Sequence, residues 1–167
     1  MIASSLGAVH VAAASLALAL GLVVLLAQKG TPCHVLFGAG YVTAMAVVNI
    51  SALGLYRLTG QFGPFHALAM VSLAVVMSGV LAVLRRRDQW LARHYQLMTY
   101  SYLGLWAAAV AEAVTRLRLL GTLAGGSRGA LAVGVAIAVL FAALGYLVIP
   151  RLQGVALRGL AHDEAPR

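Results

Sequence analysis

The sequence predicts an all-α polytopic membrane protein with a four-helix core bundle and a fifth transmembrane helix. Of its 167 residues, 62% are hydrophobic and 10% are charged, whereas soluble domains average about 45–50% and about 25%. Five apolar segments are long enough to cross the roughly 30 Å of hydrocarbon in a bilayer. The four acidic residues are too few to cover a water-facing surface. The composition therefore excludes an ordinary soluble domain.

The predicted spans are separated by short polar segments. They cover residues 2–27, 33–56, 64–84, 94–114 and 130–149. Pro32 and Pro64 stand where the second and third spans begin, and the missing N–H of proline costs nothing at a helix start. Pro150 is expected to terminate the fifth span. The chain then divides into a four-helix core, a loop with the fifth span, and a polar tail, at 1–118, 119–150 and 151–167.

The basic residues predict the orientation of the chain. Eight of the 12 lysines and arginines lie in the first and third loops and the tail, against four in the second and fourth loops. The positive-inside rule places the larger group in the cytoplasm, so the N-terminus is outside and the C-terminus cytoplasmic. The first span lacks a basic n-region and is expected to stay as an anchor. The net charge of +8 thus indicates lipid headgroups as partners rather than nucleic acid.

Four of the five histidines are distributed one per span over the first four spans. At about 1.5 Å rise per residue, His10 and His66 lie about 7 and about 12 Å outward of their span centres, and His34 and His94 each about 15 Å inward. Because alternate helices face one another in a four-helix bundle, we expect an outer pair, His10 with His66, and an inner pair, His34 with His94. Paired imidazoles commonly hold haem iron. The pattern predicts two haem b groups.

Basic residues near each predicted pair are expected to neutralise the haem propionates. They are Lys29 and Arg93 on the inner side, and Arg57 and Arg116 on the outer side. Glu112 is the one acidic residue within a predicted span, and it follows His94 by five helical turns, so both share a face. Glu112 is either a proton acceptor or substrate-contacting group beside an outer cofactor, or an i,i+4 partner of Arg116.

Other functions stay open for the same residues. The same imidazoles could bind copper or zinc instead, with Cys33 as a further ligand. A single histidine at a helix end is often an interfacial residue with no cofactor. An electron carrier would exchange electrons with a quinone or a redox protein, or serve as an accessory subunit of a larger respiratory complex. The alternative class is a non-catalytic assembly or structural protein, which handles copper or haem for an oxidase or packs against larger subunits.

The chain resembles an uncharacterised bacterial membrane-protein family, domain of unknown function 2306, over about residues 10–118. The resemblance rests on His10, the segment 29–34 with Gly38 and Tyr41, the segment 62–66, and Ala92-Arg93-His94 with Met98 and Tyr102. That family typically has an arginine directly after the second and fourth histidines, where this chain has Val35 and Tyr95. The resemblance implies a multi-pass protein of the bacterial inner membrane and names no activity.

The placement of one histidine on each of four helices is also similar in architecture to the cytochrome b561 family of di-haem transmembrane electron carriers. The similarity is limited to the four histidines and their alternation. It implies electron transfer across the membrane, with a fifth helix outside the four-helix core.

Overall fold

The computed structural model describes residues 5–55, 62–116 and 127–163, and over these ranges the chain forms five α-helices. They are α1 (Ser5–Leu26), α2 (Pro32–Leu53), α3 (Pro64–Arg85), α4 (Trp90–Arg116) and α5 (Ser127–Asp163). Each helix overlaps one predicted span, although α5 extends well beyond its span, and the described ranges contain no strand. The all-helical prediction is confirmed.

Four of the helices are long and apolar enough to cross a membrane. They are α1, α2, α3 and the stretch Ala132–Arg151 of α5. A helix suits this environment because it satisfies every backbone N–H and C=O within itself, where lipid offers no partner. In the described part of the chain α4 falls outside this set, since Arg93, Gln96 and Glu112 lower its hydropathy. Membrane crossing by α4, and the orientation of the termini, stay predictions.

The two proline-marked helix starts are confirmed. Pro32 is the first residue of α2, and Thr31 before it is the N-cap, whose hydroxyl oxygen accepts a hydrogen bond from the His34 N–H at 3.3 Å. This bond satisfies one of the N–H groups that a helix start leaves without an intrahelical acceptor. Pro64 is likewise the first residue of α3. Both starts follow from local sequence alone.

The prediction that Pro150 terminates the fifth span as a helix is wrong, because α5 continues through it to Asp163. Proline removes one intrahelical hydrogen bond and crowds the carbonyl four residues before it, here that of Tyr146. Membrane helices tolerate this because local adjustments and neighbouring groups satisfy the freed carbonyl. The apolar stretch does stop at Arg151. The predicted tail, 151–167, is therefore helical as far as Asp163.

The chain divides into two compact units, Met1–Val76 and Met77–Arg167, each described here by itself. In the first unit α1 and α2 pack against each other. Leu6 lies beside Gly54 and Leu20 beside Gly40, so the two helices run antiparallel. The buried side of α2 is formed by residues three or four apart, as helical packing requires: Tyr41, Ala44, Met45, Val48, Asn49 and Ser51. The four-helix core at 1–118 stays a prediction.

In the second unit α4 packs against α5 and against the C-terminal part of α3. Glycines permit the close approach. A Cβ placed on Gly79 would lie 2.5 Å from Met98 Cε and 3.3 Å from Leu97 Cβ. A Cβ placed on Gly145 of α5 would overlap the side chain of Leu103 on α4. Small residues serve this purpose in membrane bundles because helices there gain most from close van der Waals contact.

Candidate functional site

His10 on α1 is held by two groups on α2. Its Nδ1 lies 3.2 Å from the Val48 carbonyl oxygen and 3.0 Å from Ser51 Oγ. A carbonyl oxygen only accepts, so Nδ1 must carry the proton and donate it. Ser51 Oγ donates its own proton to the Val48 carbonyl at 3.0 Å, and so accepts from His10. In the neutral ring this fixes the lone pair on Nε2, the nitrogen that a metal would bind.

His94 on α4 has the same arrangement with a different partner. Its Nδ1 donates to the Gly79 carbonyl oxygen on α3 at 3.0 Å. Leu97 and Met98 of α4 also lie against Gly79, so the missing side chain lets α4 approach and brings the Gly79 carbonyl within reach of His94. The lone pair of the neutral His94 ring is again on Nε2. His10 and His94 thus share the tautomer that haem or metal ligation needs.

His66 has the opposite tautomer. It is the third residue of α3, and its Nδ1 accepts a hydrogen bond from the Gly63 N–H at 3.1 Å. The Gly63 carbonyl accepts the first helical bonds, from the N–H groups of His66 and Ala67. The bond from the Gly63 N–H to His66 is one half of a capping box, in which the side chain of the third helical residue accepts from the N-cap N–H, with imidazole in place of the usual Glu or Gln. Because Nδ1 accepts, the neutral ring carries its proton on Nε2, which is buried.

The neighbours of His66 fit a structural role. The ring of Phe62 stacks on it, with centroids 5.1 Å apart and an interplanar angle of 29°, and His66 is only 4% exposed. Ligation of iron through Nε2 requires Nδ1 to release the Gly63 N–H and take up the proton. The conformation described here therefore favours a helix cap at His66 over a ligand.

Substitution of His66 separates these roles. We expect His66→Leu to lower the free energy of unfolding by about 1 kcal/mol, because the Gly63 N–H loses its acceptor, while His66→Gln retains an acceptor and loses about half as much. Chemical denaturation in detergent micelles measures both. If His66 is also a haem ligand, both variants lose haem absorbance to the same extent, whereas a pure cap leaves absorbance unchanged in both. Equal stability of the two variants would contradict the capping assignment.

His34 is half-buried at the third position of α2, and its Nδ1 is buried. It belongs to the first unit and His94 to the second, so their pairing stays a prediction. His10 and His66 both belong to the first unit, with opposite tautomers. Among the described residues no group of three or more His, Cys, Asp or Glu is close enough to hold a metal ion. A two-histidine haem site needs no such group, and the copper alternative stays a prediction.

Lys29 closes the C-terminus of α1. Its ammonium donates to the carbonyl oxygens of Val24, Leu25 and Ala27 at 2.9, 2.8 and 3.1 Å. These bonds satisfy carbonyls that have no intrahelical partner and place positive charge at the negative end of the helix dipole. Burial lowers the pKa of Lys29. All three donors of the ammonium are engaged, so contact with a propionate would require Lys29 to leave its cap.

The other charged candidates are only partly described. Arg93 is exposed at the start of α4, and Glu112 is half-buried near its end. The helix is continuous between them, so the predicted five-turn spacing of Glu112 from His94 applies. Arg57 lies outside the described residues. The backbone of Arg116 ends α4, but its side chain lies outside the description, so its ion pair with Glu112 stays a prediction.

The histidines fit a haem ligand set in part. His10 and His94 present the correct nitrogen, already oriented by backbone carbonyls. His66 fits only after a change of tautomer. The residues that sequence reasoning missed are the acceptors, Ser51 and Gly79. A hydroxyl on the buried stripe of α2 was a signal for Ser51, whereas Gly79 is one of several glycines in the spans and nothing local distinguishes it.

Comparison with known proteins identifies one matching family. Residues 7–152 match the family model described as predicted membrane protein (DUF2306). No curated protein and no solved structure matches the chain. The match extends beyond the predicted four-helix core into α5.

Proposed function

The chain belongs to the DUF2306 family of predicted membrane proteins, and from its own residues we propose that it is a b-type haem protein that transfers electrons across the membrane. One observation carries the proposal. His10 and His94, on different helices, each donate Nδ1–H to a backbone carbonyl of a neighbouring helix. That bond fixes the tautomer and raises the basicity of Nε2, and metal-ligating histidines almost always make such a bond.

The chain supplies orientation rather than chemistry. Haem, when bound, supplies one-electron redox chemistry at a potential set by its ligands and surroundings. Val48 and Ser51 hold the His10 ring, and the Gly79 carbonyl holds the His94 ring. Preorganised ligands of this kind lose little conformational entropy on binding. The proposed second ligands are His66 for the outer haem and His34 for the inner.

His66 limits the outer site. To become a ligand it must release the Gly63 N–H, which costs about 1 kcal/mol of hydrogen bonding. Iron ligation would have to exceed that cost. We further propose that the protein resides in the bacterial inner membrane and exchanges electrons with a quinone or a redox protein, alone or as an accessory subunit of a larger respiratory complex.

An absorption spectrum of the purified chain tests the proposal. We expect a sharp α band on reduction, either in the protein as isolated or after addition of haem b. His10→Leu and His94→Leu should each remove part of this band, whereas His162→Leu, at the end of α5, should leave it unchanged. A chain that stays colourless with added haem, while its far-ultraviolet circular dichroism shows it folded, would contradict the proposal.

A second candidate is a non-catalytic assembly or structural protein. It is favoured by His66 and Lys29, whose polar groups bond to helix ends of their own unit. Metal analysis of the same colourless preparation would then distinguish two cases. About one copper per chain would indicate copper handling for an oxidase, and no metal would indicate a packing role.

A further inference from the structure

A cleft of about 280 Å³ lies where α3 ends and α4 begins, within the second unit. Its lining divides into a charged side and an apolar side. The charged side consists of Arg85, Arg87, Asp88 and Arg93, all of them exposed. Three guanidinium groups against one carboxylate leave the cleft with an excess of two positive charges. The cleft is distinct from the histidine positions discussed above.

The guanidinium groups determine what kind of ligand fits the charged side. Arginine presents a planar fork of N–H donors that matches the oxygens of a phosphate in a bidentate manner. Such charge-assisted bonds are about twice as strong as neutral ones. The charged side therefore suits a phosphate ester, and Asp88 makes it less suitable for a ligand of high negative charge.

The apolar side indicates that the ligand is an amphiphile. Leu81 and Ala82 of α3 and Leu97 of α4 form the apolar part of the lining. Leu81 and Ala82 belong to the stretch of α3 that is apolar and long enough to cross a membrane. Trp90 also lines the cleft, and tryptophan is enriched at the level of lipid headgroups. A soluble phosphate ester would leave this wall without a partner, whereas a lipid would place an acyl chain along it.

The short connection 86–89 fixes the charged side in place. The Arg86 N–H donates to the Ala82 carbonyl at 3.1 Å, and the Trp90 N–H donates to the Arg87 carbonyl at 2.9 Å. Arg86 and Gln89 adopt φ angles of +42° and +58°, a left-handed conformation that tightens the turn. The Arg86 guanidinium lies 5.6 Å from the centroid of the Trp90 ring. Arg86 belongs to the same loop but is not a lining residue of the cleft.

We propose that this cleft binds the headgroup phosphate of an anionic phospholipid, with an acyl chain along the Leu81, Ala82 and Leu97 wall. Arg85, Arg87 and Arg93 bind the phosphate, and Asp88 limits the total charge. The site holds lipid in whichever leaflet faces this loop. It shares Arg93 with the predicted surroundings of the inner haem, but none of its lining residues is a predicted haem ligand, so lipid binding is measured without haem.

Trp90 is the reporter. The chain has two tryptophans, so Trp106→Phe leaves Trp90 alone. Phosphatidylglycerol brominated on its acyl chains is titrated into the protein in non-ionic detergent micelles, with brominated phosphatidylcholine as the zwitterionic control. We expect half-maximal quenching of Trp90 at a concentration about tenfold lower for phosphatidylglycerol, on the scale of the attraction of clustered arginines for anionic lipid. Equal quenching by both lipids would overturn the proposal.

Soluble competition distinguishes the two sources of phosphate. Glycerol 3-phosphate has a phosphate group but no acyl chain. We expect it to leave the quenching by phosphatidylglycerol unchanged at a large molar excess. Displacement of the lipid by glycerol 3-phosphate would show that the ligand is a soluble phosphate ester and would overturn the lipid assignment.

Charge variants locate the site. Arg85→Gln and Arg93→Gln should each weaken phosphatidylglycerol binding about fivefold, and Asp88→Asn should strengthen it, a direction that misfolding cannot imitate. The matched control is Arg86→Gln, which removes the same charge from the same loop. Arg86 is not a lining residue, but its guanidinium lies over the Trp90 ring, so quenching is normalised to the lipid-free fluorescence of each variant. This variant should change binding less than twofold. If Arg86→Gln weakens binding as much as Arg85→Gln, the attraction is to the general surface charge and the cleft is not the site.

Discussion

Gly79→Val is expected to lower the free energy of unfolding by about 3 kcal/mol, because the new side chain would overlap residues of α4. The new Cβ would lie 2.5 Å from Met98 Cε and 3.3 Å from Leu97 Cβ. The flexible end of Met98 can move, but Leu97 Cβ is fixed to the backbone, so α3 and α4 must separate. That movement also withdraws the Gly79 carbonyl from His94 Nδ1. Denaturant titration in detergent micelles, followed by circular dichroism, measures the loss.

Gly104→Val is the matched control for this prediction. Gly104 lies on α4 in the same unit, and a Cβ placed there meets nothing within 4 Å. We expect Gly104→Val to change the free energy of unfolding by less than about 1 kcal/mol, since only helix propensity is altered. Met98→Ala should restore part of the stability of a Gly79→Ala variant, because it removes the atom that obstructs the new methyl group. Equal losses for the two valine variants would show that close packing at Gly79 is not the cause.

Ser51→Ala is expected to weaken haem binding by about 10–100-fold, the range found for residues that orient a metal-ligating histidine. Ser51 Oγ accepts from His10 Nδ1 at 3.0 Å and donates to the Val48 carbonyl. Its removal takes away one of two acceptors near His10 Nδ1 and leaves the Val48 carbonyl, at 3.2 Å. Ser51 is a positioning residue, so titration with haem b should be combined with measurement of the reduction potential, which a purely structural effect would leave unchanged.

Thr43→Ala provides the control for the loss of a hydroxyl from α2. Thr43 Oγ1 donates to the Ala39 carbonyl within the helix, and the residue is exposed. We expect Thr43→Ala to bind haem with the affinity of the unaltered chain. Ser51→Thr, which keeps a hydroxyl at position 51, should retain the affinity that Ser51→Ala loses. The role assigned to Ser51 would be wrong if Ser51→Ala and Thr43→Ala had the same haem affinity.

Helix positions were predictable because long apolar runs admit only one regular structure in lipid, where each backbone N–H and C=O must find its partner nearby. The starts at Pro32 and Pro64 were also predictable, since a helix N-terminus depends on local residues. The prediction at Pro150 was wrong because proline usually ends a helix in water, whereas membrane helices tolerate an internal proline. Which helices pack together did not follow from the sequence, since apolar residues surround each span and single out no face.

The sequence predicted which histidines form the candidate site, but not which nitrogen of each ring carries the proton. Depth along each span groups His10 with His66, yet depth says nothing about which ring nitrogen carries the proton. That depends on partners such as Val48 and Gly63, which reach the rings only in the folded chain. The two rings at similar predicted depth have opposite tautomers. A sequence pattern cannot distinguish a ligand from a helix cap here, whereas one hydrogen-bond direction can.

Because Arg86 has a left-handed backbone conformation, the residue that best suits its backbone is not the residue that best suits membrane insertion. Glycine adopts that backbone conformation without the penalty of about 1 kcal/mol that an L side chain incurs. Directed evolution for heat resistance in detergent would therefore favour glycine at position 86. The same substitution would remove one of the arginines by which the translocation machinery is expected to orient the chain, so we expect variants selected outside a cell to insert less uniformly inside one.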